Sequence, residues 1–340
     1  MSELAQGHEI FELGAVPLQS GTTLPDAKLA FKTYGSLNAR GDNTIVLPTF
    51  YTGTHVRNEG YLRSVPALDP SRYFIVSINM FGNGLSSSPS NTAPPFDGPR
   101  FPAVTLYDNI GCQHRLLTAL GVKRIALVLG WSMAGCQSYQ WAAQFPDMVG
   151  AILPFCASAR TSPHNKVFLE GVKAALLADG AFAGGDYTAP PEAGLRAFGR
   201  VYAGWAYSQT FYRERLHCDL GFETWEELLL AWERDHLDWD ANDLLAKLRT
   251  WQLGDISANE RYRGDFESAL RAIRARAILI PCTTDLYFPP EDNAIEARHM
   301  PNAEFRPFDS PWGHCVASPS RAGSEFLRFL NSCVSDLLAG

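Results

Sequence analysis

The amino-acid sequence predicts an α/β fold: a mostly parallel sheet flanked by helices, with a helical block inserted into it. Three observations carry this expectation. Short apolar runs at 44–50, 73–79, 125–131, 151–156 and 275–285 have the length and texture of buried parallel strands. Helical spacing fills intervals between them, as at 107–120. From 161 to 274 strand-like runs give way altogether to helical periods, so 1–160 and 275–340 are expected to form the main domain and 161–274 a lid.

Taken in order, 10–16 and 28–34 read as an antiparallel pair around the turn-forming Ser20-Gly21-Thr22-Thr23-Leu24-Pro25. A short helix over 59–64 separates the next two strands. Residues 82–91, rich in Gly, Ser, Asn and Pro, form a loop; it has neither G-x-G-x-x-G nor a lysine, which sets nucleotide binding aside. Gly121 stops the helix over 107–120, and Pro146-Asp147 ends the one that follows the fifth strand. Lid helices are expected at 166–177, 195–215, 224–235 and 241–253. Their aromatic residues, among them Tyr202, Trp205, Tyr207, Tyr212, Trp232 and Trp239, divide between helix packing and substrate walls. The pair Pro289-Pro290 is expected to end regular structure, and 305–308 to be the last strand.

Chemistry concentrates at Gly130-Trp131-Ser132-Met133-Ala134-Gly135, where an apolar strand feeds G-x-S-x-G and a helix follows at once. A turn this sharp lifts the Ser132 hydroxyl above the sheet edge, and the helix that begins at Met133 aims unpaired N–H groups at any oxyanion formed there. A serine nucleophile of this kind needs a base and an orienting carboxylate, which follow it in the order Asp, then His. Asp285 stands at the end of the strand-like run 275–285, and His314 in the tight loop Ser310-Pro311-Trp312-Gly313-His314. His55 and His164 are rivals for the base, since both fall in loops after expected strands. Each signal alone has an ordinary structural explanation; their chain order at three strand ends makes the triad Ser132, Asp285 and His314.

Composition narrows the class. With 340 residues, 46% of them hydrophobic, the chain can bury a large core and exceeds the size at which a single core stops growing. A net charge of −7 without a basic stripe offers nothing to nucleic acid or an anionic membrane surface, and no apolar run approaches a membrane span. The seven cysteines show no C-x-x-C pair and no metal-like spacing with histidine, and residues 1–7 lack a charged-then-apolar signal. The expectation is a cytoplasmic protein with reduced thiols, no metal site and a small-molecule substrate.

Several spaced motifs then bring a family to mind: Thr49-Phe50-Tyr51-Thr52-Gly53-Thr54-His55, the 82–90 loop, Asp108-Asn109 with Gln113 and the 116–121 stretch, the elbow itself, Ala159-Arg160-Thr161-Ser162, and Gly184-Gly185-Asp186-Tyr187. Together the chain resembles the homoserine O-acetyltransferase family of α/β-hydrolase-fold enzymes, from about residue 10 to the C-terminal helix. The resemblance implies oxyanion donors at the backbone N–H groups of Met133 and Tyr51, Arg160 on a substrate carboxylate, and a homodimer packed through the lid helices. Two departures stand out. His314 is followed by Cys315, where the family's acetyltransferases carry an Asp for the substrate ammonium, and Trp131 and Ala134 replace elbow glycines.

A thiol cannot hold an ammonium, so the favoured expectation is an acyl hydrolase that cuts an ester, thioester or activated carbon–carbon bond without a cofactor. The alternatives are an O-acyltransferase that uses acetyl-CoA as co-substrate and, more remotely, a non-catalytic binding protein on the same fold.

Overall fold

The apolar runs become strands because β-branched and aliphatic residues at successive positions can be covered on both faces only inside a helix-flanked sheet. The computed structural model describes residues 7–319 and 323–339; the expectation for the extreme N-terminus falls on residues 1–6, outside the described residues. Along the chain come β1 (Glu9–Pro17), β2 (Thr23–Tyr34), β3 (Thr44–Pro48), α1 (His55–Ser64), β4 (Phe74–Ile78), α2 (Leu106–Ala119), β5 (Ile125–Trp131), α3 (Met133–Gln144) and β6 (Ala151–Phe155). Helices α4 (Pro163–Leu177), α5 (Glu192–Ala206), α6 (Gln209–Arg213), α7 (Trp225–Leu237), α8 (Ala241–Gln252) and α9 (Phe266–Arg271) follow. The chain closes with β7 (Arg276–Leu279), α10 (Pro290–His299), β8 (Ala303–Phe305) and α11 (Ser324–Leu338).

The eight strands form one sheet in the order β1-β2-β4-β3-β5-β6-β7-β8. β1 and β2 pair antiparallel, β2 joins β4 antiparallel, and the remaining pairings are parallel. Strands β3, β4 and β6 are buried at every position. One face packs on α2, α3 and α9 through Leu116, Leu117, Trp141 and Leu270; the other packs on α1 and α11 through Tyr61, Phe326 and Leu330. A third apolar cluster joins α4, α5, α7 and α8 to the ends of the strands. The C-terminal ends of β3 to β7 open toward that cluster through Tyr51, Met80, Met133, Ala157 and Tyr287, which is where parallel sheets hold their ligand-facing groups. Among the described residues, no helix is long and apolar enough to cross a membrane.

Four local expectations need correction, three of them at prolines. β2 begins at Thr23 and carries Pro25, because the turn closes earlier, with Leu18 N–H donating to the Thr22 carbonyl. Pro290 opens α10 instead of ending structure, since a proline at the first helical position lacks only an N–H the helix would leave unpaired. The final strand ends at Phe305, two residues short of Pro307, and only a single bridge, Cys282 to Phe308, continues it. The expected helix over 195–215 breaks after Ala206: Tyr207 is extended, and the Ser208 hydroxyl caps α6 by accepting from Phe211 N–H at 3.0 Å.

Candidate active site

The turn from β5 into α3 holds Ser132 at φ 58° and ψ −130°, a conformation that ordinary side chains avoid and that costs about 1–3 kcal/mol. Its neighbours fix it there: Ser132 N–H donates to the Phe155 carbonyl of β6 at 3.1 Å, and Cys136 N–H returns to the Ser132 carbonyl at 3.0 Å. The flanking glycines are needed for contact, not for φ. A Cβ at Gly130 would lie 2.4 Å from the Ala134 Cβ, and one at Gly135 would lie 2.5 Å from the Ala157 Cβ. Strand and helix therefore approach as closely as backbone allows, and the serine is squeezed to the apex.

Asp285 and His314, both 3% exposed, meet across the ends of β7 and β8. His314 Nδ1 donates to Asp285 Oδ2 at 2.7 Å, while Asp285 Oδ1 accepts from the N–H groups of Tyr287 (2.8 Å) and Phe288 (3.2 Å). The carboxylate is thus held at both oxygens and fixes which ring nitrogen carries the proton. The histidine loop is tied down by Thr284 Oγ1, which donates to the Ser310 carbonyl at 2.6 Å and accepts from Gly313 N–H at 3.1 Å. Tyr287 packs on the imidazole edge-on at 4.7 Å, and Trp131 stacks on it at 4.9 Å while its indole N–H donates to the His314 carbonyl. Cys156 joins this pair unexpectedly: its thiol, Asp285 and His314 have their ligand-type atoms within 4.8 Å of one another, brought together from three strand ends that no short-range spacing connects.

Ser132 and His314 line one cavity of about 330 Å³, walled by Phe50, Tyr51, Trp131, Cys315 and, from α5 and α7, Tyr202, Ala206 and Trp232. Trp131 is therefore a wall beside the serine, and Cys315 stands where its position after His314 puts it. Met133 begins α3, and Tyr51 lies in the turn after β3. The rival histidines lie outside the cavity wall. His55 starts α1 with Nδ1 3.2 Å from the Asn79 amide, and His164 sits in α4 against the Trp205 ring. Arg160 lies outside the wall too, because its exposed guanidinium turns away and stacks 4.0 Å over Phe266.

The charged groups in the wall are ones the sequence did not single out. Arg57 of α1 pairs with Asp235 of α7 at 2.5 Å, each side chain a little over a third exposed, and both face the cavity. Behind Tyr51 lies Lys247 of α8, fully buried. Burial also acts at the rim of β6: Glu296 of α10 accepts from Ala159 N–H (2.7 Å) and the Asn293 amide (2.8 Å), and desolvation pushes its carboxyl up to about 7.

Known proteins share this fold. The profile of the alpha/beta hydrolase fold matches residues 45–317. An ethyl acetate hydrolase of Pseudomonas veronii is 37% identical over 311 residues, covering 90% of this chain and 88% of its own. A homoserine O-acetyltransferase of Chlorobium chlorochromatii is 32% identical over 311 residues, 86% of each chain. Among solved structures, the acetyl esterase MekB superposes with a TM-score of 0.94 at 34% identity, over 99% of this chain and 98% of its own.

Proposed function

The chain belongs to the α/β-hydrolase fold family, as a divergent relative of the homoserine O-acetyltransferases, and from that premise we propose that it hydrolyses small acetate esters through an acyl-Ser132 intermediate. The observation that carries the reading is the Asp285–His314 pair at 2.7 Å, whose histidine lines the same cavity as a serine forced to positive φ. His314, with Nδ1 committed to Asp285, takes the Ser132 proton on its other nitrogen as the hydroxyl attacks the ester carbonyl. The carbonyl oxygen becomes an oxyanion under the N–H groups of Met133 and Tyr51, donors worth roughly 3–4 kcal/mol each. The alcohol leaves with the proton from His314. Water then repeats the sequence on the acyl-serine and releases acetate. Nucleophile, base and donors all belong to the chain, so the chemistry calls for no cofactor.

Acetate as the acyl group rests on the esterase relatives at 37% and 34% identity and on the modest cavity, narrowed beside Ser132 by Trp131. Cys315 supports water over an amino-acid acceptor, because an ammonium buried beside a thiol would lack a counter-charge. One observation favours acyl transfer instead: Arg57 and Asp235 present opposite charges to the cavity, a pattern that could meet a zwitterion, although the two are paired with each other. The helices of 161–274 form the lid in this reading. Its exposed Val167 on α4 (67%) and Trp225 on α7 (51%) supply apolar surface for a homodimer. A cytoplasmic location fits seven cysteines that form no disulfide.

The test is turnover of ethyl acetate in buffer, with and without millimolar L-homoserine. Acetate release unchanged by homoserine, with no O-acetylhomoserine formed, is the expected result. Acetyl transfer that outpaces hydrolysis would replace the hydrolase by the transferase.

A further inference from the structure

Lys247 sits in α8 with no exposed surface, a costly place for an ammonium unless something fixed receives it. Its amino group donates to the Tyr51 carbonyl at 2.5 Å and stands 3.9 Å over the Trp239 ring. Nearest in charge along its own helix is Asp243, whose carboxylate is engaged by Ser90 through the backbone N–H (2.9 Å) and the hydroxyl (2.7 Å). The lysine stem is also confined, since a Cβ at Gly82 would lie 3.0 Å from the Lys247 Cγ. The same helix grips Tyr51 a second time, because the phenol donates to the Leu244 carbonyl at 2.9 Å. Tyr51, two residues past the last ladder bond from Thr49 N–H to the Ile78 carbonyl, is thereby held at its carbonyl and at the tip of its side chain by one helix.

We propose that Lys247 is a positioning residue for the oxyanion hole: its amino group clamps the Tyr51 carbonyl and so fixes the far side of the turn, whose near side Gly53 N–H closes on the Phe50 carbonyl at 3.1 Å, and the Tyr51 N–H between them is aimed above Ser132. This rests on the serine-hydrolase reading, in which that N–H receives the oxyanion. The clamp acts on the transition state and leaves ester binding alone. Donors aimed beforehand at developing charge stabilise the oxyanion without reorganising, whereas a carbonyl turn free to rotate would have to be ordered during the reaction. The clamp also makes the oxyanion hole depend on the lid: α8 must be docked for the Tyr51 turn to be set.

The experiment compares wild type with Lys247→Met, which keeps the length of the stem, on a short acetate ester. Removal of the clamp is expected to lower kcat by about 10- to 100-fold, less than loss of a whole oxyanion donor, with KM within about threefold. A trifluoromethyl ketone adds the Ser132 oxygen to its carbonyl carbon, passes the proton to His314 and leaves an oxyanion on the former carbonyl oxygen. Its affinity should therefore fall by the same factor as kcat. A folded variant with wild-type kcat, or one whose KM rises while kcat holds, overturns the proposal. If Lys247→Met fails to fold, Lys247→Gln, which keeps an uncharged donor, is judged in the same assays and should show the same split to a smaller degree. Ser132→Ala serves as the control: activity that survives in it overturns the serine-hydrolase reading itself. Activity lost there but intact in the Lys247 variants overturns only the clamp.

Discussion

At the sheet end of the active site, an added methyl on Gly130 or Gly135 would come within 2.4–2.5 Å of Ala134 or Ala157; across the cavity, Trp232 is only partly buried and the Arg57–Asp235 pair keeps over a third of its side-chain surface in solvent. The two sides are held by different physics. The nucleophile, base and carboxylate are fixed by backbone hydrogen bonds and backbone contact, where a shift of half an ångström has nowhere to go. On the lid side aromatic rings supply much of the contact, as where Tyr51 stacks on Tyr202 at 5.7 Å and Tyr202 meets Trp232 at a tilt at 5.7 Å. The lid also leaves buried donors such as the Trp232 and Trp251 indole N–H groups without a protein acceptor. Stacked rings tolerate sliding; a squeezed elbow does not. Under the proposed function this difference assigns reaction type to the sheet end and substrate choice to the lid, a division that substitutions on each side can break.

The largest effect is expected at the sheet end. His314→Ala and Asp285→Asn should each lower kcat on an acetate ester by roughly 10⁴-fold with the melting temperature little changed, as measured by steady-state kinetics and thermal denaturation. A loss of only a few-fold would mean that the base lies elsewhere.

A second effect, in stability, comes from the rim of the same end. The folded Glu296 carboxyl titrates at about 7 while a model carboxyl titrates near 4.3, so between those values folding takes up a proton and wild type loses stability as pH rises. Glu296→Gln cannot titrate. The stability of wild type minus that of Glu296→Gln, from urea denaturation, should therefore fall between pH 5 and 7, with a slope of at most about 1.4 kcal/mol per pH unit. A flat difference would show that the buried carboxylate keeps its charge.

The smallest effect is expected on the lid side. Arg57→Ala, which unties α7 from α1, should raise the kcat/KM ratio of bulky to short esters by roughly tenfold, with kcat on the acetate ester within a few-fold of wild type. A uniform loss across all esters would make the pair structural and weaken the division of labour.

How much of this was legible in the sequence follows the same division. The elbow is eleven consecutive residues, strand, turn and helix, so its chemistry is local and periodicity exposes it. Asp285 and His314 are legible because strand ends and chain order constrain them. The lid's contributions are pairings across the fold: Arg57 meets Asp235 at a separation of 178 residues, and Lys247 meets Tyr51 at 196. No short-range pattern marks such pairs. Arg160 shows the converse, since it stands just past a strand end as a site residue would, yet side-chain direction, set by Phe266, takes it away. The helix break at Ser208 was hidden for a related reason: its hydroxyl both caps α6 and donates to the Pro311 carbonyl of the histidine loop, a tertiary tie that helical periodicity does not record.

The central claim, that the squeezed serine is the group acylated, is tested most directly by intact-protein mass spectrometry after brief exposure to p-nitrophenyl acetate and acid quench, with the labelled peptide then located. Wild type should gain one acetyl group on Ser132 and lose it on standing in buffer, and Ser132→Ala should gain none at that peptide. Equal labelling of the two proteins, or an acetyl group found on another residue, would contradict the account.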